Sequence, residues 1–81
     1  MNNTHNPPAD QAWESFLAVS HEPVEGTVVQ VVPFGAFVRV AGVDGLLPLA
    51  EAKADLAVGD RVRARVLQVD AEARRFSLQQ V

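Results

Sequence analysis

Cysteine and tyrosine are both absent from this 81-residue chain, and it has one tryptophan and one methionine. Without cysteine there is no disulfide framework and no thiolate metal site, which fits a reducing compartment. No apolar run approaches the ~20 residues needed to cross a bilayer as a helix. Residues Met1 to Asp10 lack both the basic start and the apolar core of a secretory signal. The expectation is a soluble, cytoplasmic protein that does not enter a membrane. Lysine and arginine are missing from residues 1–23, which carry only Asp10, Glu14 and Glu22. All seven bases and the other seven acids fall in residues 24–81, so that region is neutral while the whole chain carries −3. Binding driven by net charge alone is thereby excluded. There is no internal repeat and no low-complexity tract.

Nearly half of the residues are apolar, which suits one small domain with a single core. Residues 1–9, polar and containing Pro7-Pro8, read as a disordered tail. Asp10 reads as the N-cap of a helix over Gln11 to Ser20, and Pro23 ends anything helical. Trp13, Phe16 and Leu17 fall at i, i+3 and i+4, a stripe on one face. That stripe predicts a helix lying across a sheet and covering its apolar side, within a helix-and-linker segment at residues 10–23. His5 and His21 have no partner at metal-ligand spacing and read as surface residues.

From Val24 the pattern changes to period two, with turn signals every eight to twelve residues. Strands are expected at Val24–Val32, Ala36–Val40, Leu46–Leu49, Arg61–Val69 and Arg74–Gln79. Turns separate them at Pro33–Gly35, Ala41–Gly45, Gly59-Asp60 and Asp70–Ala73, with a brief helical or irregular stretch at Ala50–Leu56. Alternation sends Ala36, Val38 and Val40 to one face and Phe37 and Arg39 to the other. In the fourth strand Val62, Ala64 and Val66 oppose Arg61, Arg63 and Arg65; in the last, Phe76 and Leu78 point inward. Five short strands in so small a domain favour a closed barrel, because closure removes unpaired edges.

Glu25-Gly26-Thr27-Val28, Phe34-Gly35-Ala36-Phe37-Val38, Gly42-Val43-Asp44-Gly45-Leu46-Leu47, Val58-Gly59-Asp60-Arg61-Val62, Val69-Asp70 and Arg75-Phe76-Ser77-Leu78 follow one another in order. Residues 24–81 with these motifs resemble the S1-type RNA-binding domain, named for the ribosomal protein. The helix carrying Trp13 resembles the segment that precedes such domains. The resemblance implies an all-β fold, a five-stranded antiparallel OB-fold barrel with a short N-terminal α-helix. It also implies an RNA face with two aromatics, a histidine in strand three, and an Asp and Arg flanking the last hairpin. The aromatics correspond to Phe34 and Phe37, and the flanking pair to Asp70 and Arg75. The histidine has no counterpart, since Pro48 stands in its place, and the connection at 50–58 is shorter than is usual.

The residues support that chemistry directly. Bases stack on exposed rings, at ~1–3 kcal/mol each, and Phe34 and Phe37 offer two such rings. Arg39, two residues along on the face of Phe37, is placed to reach a phosphate; Arg75 is a second cation for another phosphate, with Asp70 to orient it or accept from a base, and Arg74 is a further candidate RNA-binding residue. Three neutralised phosphates give a salt slope of only about −2, at ~0.7 per contact on single strands. The expected partner is single-stranded RNA, bound weakly and with little sequence preference in translation or RNA metabolism, by a monomer without cofactor or metal. Ribosomal or RNA-processing proteins are further candidate partners. A second reading is an OB barrel reused for protein–protein contact, motivated by Pro48 and the acidic N-terminal segment. No catalytic constellation is visible: the acids are scattered, Ser15, Ser20 and Ser77 have no base at a suggestive spacing, and the glycines match no phosphate loop. Glu51 and Asp55 flank Lys53 and read as a solvated face. An enzyme is not expected.

Overall fold

Val24, Gly26 and Val28 alternate inward along the first strand, and the same inward rhythm recurs in each later strand until a barrel closes around it. The computed structural model describes residues 7–81. Its elements are α1 (Pro7–Val19), β1 (Val24–Val32), β2 (Gly35–Val40), β3 (Val43–Pro48), a 3-10 turn (Leu49–Glu51), β4 (Arg61–Asp70) and β5 (Arg75–Gln80). The strands close in the order β1-β2-β3-β5-β4. Four of the five pairings are antiparallel, and the seam between β3 and β5 is a parallel bridge at Leu46–Ser77. The all-β barrel with a short N-terminal helix is therefore present as expected. Among the described residues, no helix is long and apolar enough to cross a membrane.

The helix begins at Pro7, ahead of the expected start at Gln11, so Asp10 lies in its first turn and is not its N-cap. Proline is tolerated there because the first helical N–H groups have no partner within the helix. An acid in that turn also opposes the positive end of the helix dipole. The rest of the expected tail, with His5, lies outside the described residues. Of the stripe on α1, Trp13 and Phe16 are buried, whereas Leu17 is 39% exposed at the edge of the contact. Phe16 stacks on Phe76 with ring centroids 3.9 Å apart, and Trp13 leans on Phe16 at 5.2 Å. Those three rings cap one end of the barrel, above inward side chains that include Val38, Val40, Leu47 and Leu78.

The second hairpin is tighter than expected. Ala41 and Gly42, at φ 52° and 84°, form a two-residue turn whose left-handed backbone matches the twist of the flanking strands. Strand β3 therefore starts at Val43, not Leu46, and ends at Pro48. Its register places Val43, Gly45 and Leu47 toward the core and Asp44, Leu46 and Pro48 outward. Two bulges bend the barrel. One between Val28 and Gln30 turns Gln30 to the outer face, opposite Phe37. The other, between Val66 and Gln68, turns the second half of β4 outward. Val66 is consequently only half-buried, while Val62 and Ala64 are buried as expected.

Candidate nucleic-acid interface

Because opposed residues in a sheet share a face, the register of β2 and β3 builds the outer surface from three successive pairs. They are Gly35 with Pro48, Phe37 with Leu46, and Arg39 with Asp44. Successive pairs on one face are about 6.7 Å apart. Phe34, in the turn before β2, is 59% exposed, and Phe37 is half-buried. Their rings meet edge to face at 6.5 Å and 86°, so the two aromatic faces are presented at right angles. The turn that holds Phe34 requires Gly35. A side chain there would strike the Leu47 carbonyl oxygen, at 2.3 Å from a Cβ, on a backbone of φ +154°. A hydrogen bond from the Leu49 N–H to the Phe34 carbonyl, 3.0 Å, ties the turn to the end of β3.

The two rings open onto a groove of about 540 Å³ lined also by Gln30, Asp44, Leu46, Arg75 and Phe76. The structure thus brings Phe34, Phe37 and Arg75 together. Gln30, Asp44 and Leu46 belong to the same groove but escaped the sequence reading. Gln30 faces outward only because of the bulge, and Asp44 reads in sequence as a turn residue because Gly follows it. Arg39 lies one pair beyond Phe37, and its guanidinium is already engaged. It donates from Nε to Asp44 Oδ1 at 2.7 Å and from Nη2 to Asp44 Oδ2 at 3.2 Å, a bidentate fork. That hydrogen bonding, with the charge of Asp44 behind it, raises the Arg39 pKa above its ordinary value.

Asp70 and Arg75 stand directly opposite one another at the root of the β4–β5 hairpin. The Asp70 carboxylate accepts from the Ala73 N–H at 3.2 Å, an interaction that shapes the turn. Arg74, at φ 55° in that turn, is turned toward the helix and ion-pairs with Asp10. Among the described residues, Arg75 is the one arginine of the expected site without a carboxylate partner. Arg61, Arg63 and Arg65 lie on the outer surface of β4, away from the aromatics; Arg61 approaches Glu25 at 3.4 Å and Arg65 borders Ser20 to Pro23. Trp13 is only 6% exposed and presents no open stacking face. Among the described residues no group of three or more metal-ligating side chains converges.

A closed five-stranded barrel of this strand order, with an aromatic groove across β2 and β3, is an OB barrel. The family model described as the S1 RNA binding domain matches residues 20–79, and the chain belongs to that family. The small ribosomal subunit protein bS1 of Leuconostoc lactis is 43% identical over 79 residues, covering 86% of this chain and 18% of that protein. The chain thus spans less than a fifth of that relative's length. Among solved structures, GSP13 from Bacillus subtilis is similar, with a TM-score of 0.64 and 32% identity over 73% of this chain and 52% of that one. The uncharacterized protein MJ1198 from Methanocaldococcus jannaschii shares the fold, with a TM-score of 0.69 and 24% identity over 75% of this chain and 89% of that one.

Proposed function

We propose that this domain binds single-stranded RNA, stacking two bases on Phe34 and Phe37 and setting an adjacent phosphate on Arg75. The observation that carries the reading is the groove itself. Two rings and an arginine without a carboxylate partner line one open channel in a chain of the S1 family. Each stacked base is worth ~1–3 kcal/mol, and stacking is tolerant of sequence because every base has a π-face. Gln30 and Asp44 at the groove edges add hydrogen-bonding groups without forming a rigid code. The domain is a binding module, not a catalyst, and its ribosomal relatives support a place in translation or RNA metabolism in the cytoplasm.

The test is titration of the isotopically labelled domain with a short oligouridylate at two salt concentrations, with backbone amide shifts as the readout. Saturable, salt-weakened shifts are expected at Phe34 to Phe37 and at Arg75. Phe37→Ala weakens binding by about 1–3 kcal/mol, roughly 5- to 150-fold, with the fold intact. Equal affinity for wild type and variant would remove the site. A complete absence of shifts at millimolar oligonucleotide would favour the protein-docking alternative. For that reading the relevant surface is the apolar groove at the other barrel end, where Val31 and Leu49 are 48% and 66% exposed.

A further inference from the structure

The groove over the aromatics does not stop at Arg75. Asp44 and Arg75 also line a second cleft of about 390 Å³ between α1 and the two turns that cap this end of the barrel. Its walls carry Trp13, Arg39 and Arg74 as well, so three arginines converge on one hollow. Two of the three are engaged by carboxylates of the protein itself, Arg39 by Asp44 and Arg74 by Asp10. Arg74 is brought there by a left-handed backbone, φ 55°, that an arginine adopts at a cost and a glycine would adopt freely. A guanidinium fork fits a phosphate as it fits a carboxylate, so the positions now held by Asp10 and Asp44 oxygens are ones a phosphodiester can take.

We propose that the cleft between α1 and the β2–β3 and β4–β5 turns is a second subsite, for the phosphodiester backbone of RNA leaving the aromatic groove, with Asp10 and Asp44 as internal occupants that the RNA displaces. The proposal rests on the RNA reading given above and extends it. The strand enters at Phe34, passes over Phe37 and reaches the helix beyond Arg39. From Gly35 to Arg39 the track is about 13 Å long at the rise of a strand, and the cleft lies beyond it. A ligand of about four nucleotides, the short end of the range for OB folds, is needed to fill both subsites. A dinucleotide fills only the aromatic one.

The experiment compares the dinucleotide UpU with hexauridylate on the wild-type chain and on Arg74→Gly, Asp10→Asn and Phe37→Ala variants. Binding is followed by amide shifts and by the fluorescence of Trp13, the chain's one tryptophan, which lines the cleft. Hexauridylate is expected to change Trp13 emission and shift the amides of Ala12 and Arg74, with a salt slope near −2; UpU changes neither and gives a slope no steeper than about −0.7. Arg74→Gly weakens hexauridylate about 3- to 10-fold and lowers its slope by about 0.7, leaving UpU unchanged. Asp10→Asn strengthens hexauridylate about 2- to 5-fold. Arg74→Gly suits the left-handed turn and is expected to melt no lower than wild type, so a loss of binding reads as a lost contact. If Phe37→Ala weakens both ligands while Trp13 and the Arg74 variant respond to neither, the subsite is refuted and the aromatic site stands. If neither oligonucleotide binds the wild type, the RNA reading fails and the subsite fails with it.

Discussion

Substituting Gly45 by alanine tests how the inner wall of the groove is built. Gly45 lies on the buried side of β3, and a Cβ added there would sit 2.1, 2.4 and 2.5 Å from three ring atoms of Phe76. Carbon atoms rest at about 3.5–4.0 Å, so the ring would have to retreat by about 1.5 Å. It has nowhere to go, since its other face is stacked on Phe16 at 3.9 Å and Phe16 is fully buried under α1. Overpacking typically costs about 1–3 kcal/mol; with two rings and a helix forced to move together, Gly45→Ala belongs at the upper end, about 3 kcal/mol. For a domain of this size each kcal/mol lowers Tm by about 4–8 °C, so a drop of about 12–24 °C is expected. Thermal unfolding followed by circular dichroism measures it, and urea titration checks that the m-value is unchanged. Combining Gly45→Ala with Phe76→Leu frees the space, and the double variant should be more stable than the two losses added together by at least about 1 kcal/mol. A loss below about 1 kcal/mol for Gly45→Ala, or strict additivity in the pair, would refute the steric argument.

Phe16→Ala is expected to lose about 3–5 kcal/mol in urea unfolding, because it deletes the ring that joins α1 to the barrel; a loss under about 1 kcal/mol would mean that the helix does not contribute to the core. Arg65→Ala leaves oligouridylate affinity and its salt slope unchanged in anisotropy titrations, since Arg65 borders Ser20 to Pro23 and not the aromatic groove; a fall in slope of about 0.7 would move the RNA path onto β4. Pro48→His places a planar ring on the outer face of β3, opposite Gly35, and is expected to tighten oligouridylate binding about 5-fold, the low end of one stacking interaction. Unchanged affinity would take that corner of β3 off the path.

Much of the barrel is legible because its local preferences and its tertiary arrangement agree. The inward alternation of Ala36, Val38 and Val40, and of Phe76 and Leu78, follows from period two alone, and all five are buried. The helix stripe likewise foretells Trp13 and Phe16 as core. What escapes the sequence is set by geometry that no local pattern encodes. The bulge after Val28 reverses the facing of Gln30, and strict alternation would have put that side chain inside. Asp44-Gly45 carries a strong turn signal, yet the two-residue turn at Ala41-Gly42 closes the hairpin first and leaves Asp44 in β3 opposite Arg39. The Asp10–Arg74 pair joins opposite ends of the chain, and only the docking of α1 beside the last hairpin creates it. The two rings that line the candidate groove were therefore nameable from the sequence, while the electrostatic state of the arginines near them was not.

That electrostatic state bears on how the proposed site, on a neutral barrel in an acidic chain, would select a polyanion. With Arg39 and Arg74 already holding carboxylates, a phosphate arriving alone exchanges one anion for another and gains little, and salt screens what it gains. In the proposed mode, stacking on Phe34 and Phe37 would add a contribution that does not depend on charge and that only unpaired bases can supply. A duplex offers the phosphates but keeps its bases stacked on one another, and a free nucleotide offers a base but no continuous backbone. The ligand that would satisfy both halves of the proposed surface is a flexible single strand several nucleotides long. On the proposed reading, the internal carboxylates would suppress non-specific anion binding at the expense of affinity. Duplex RNA of the same sequence should accordingly compete for the domain at least 10-fold less well than hexauridylate, a gap of about 1.4 kcal/mol. Equal competition would mean that the arginines, and not the rings, do the selecting.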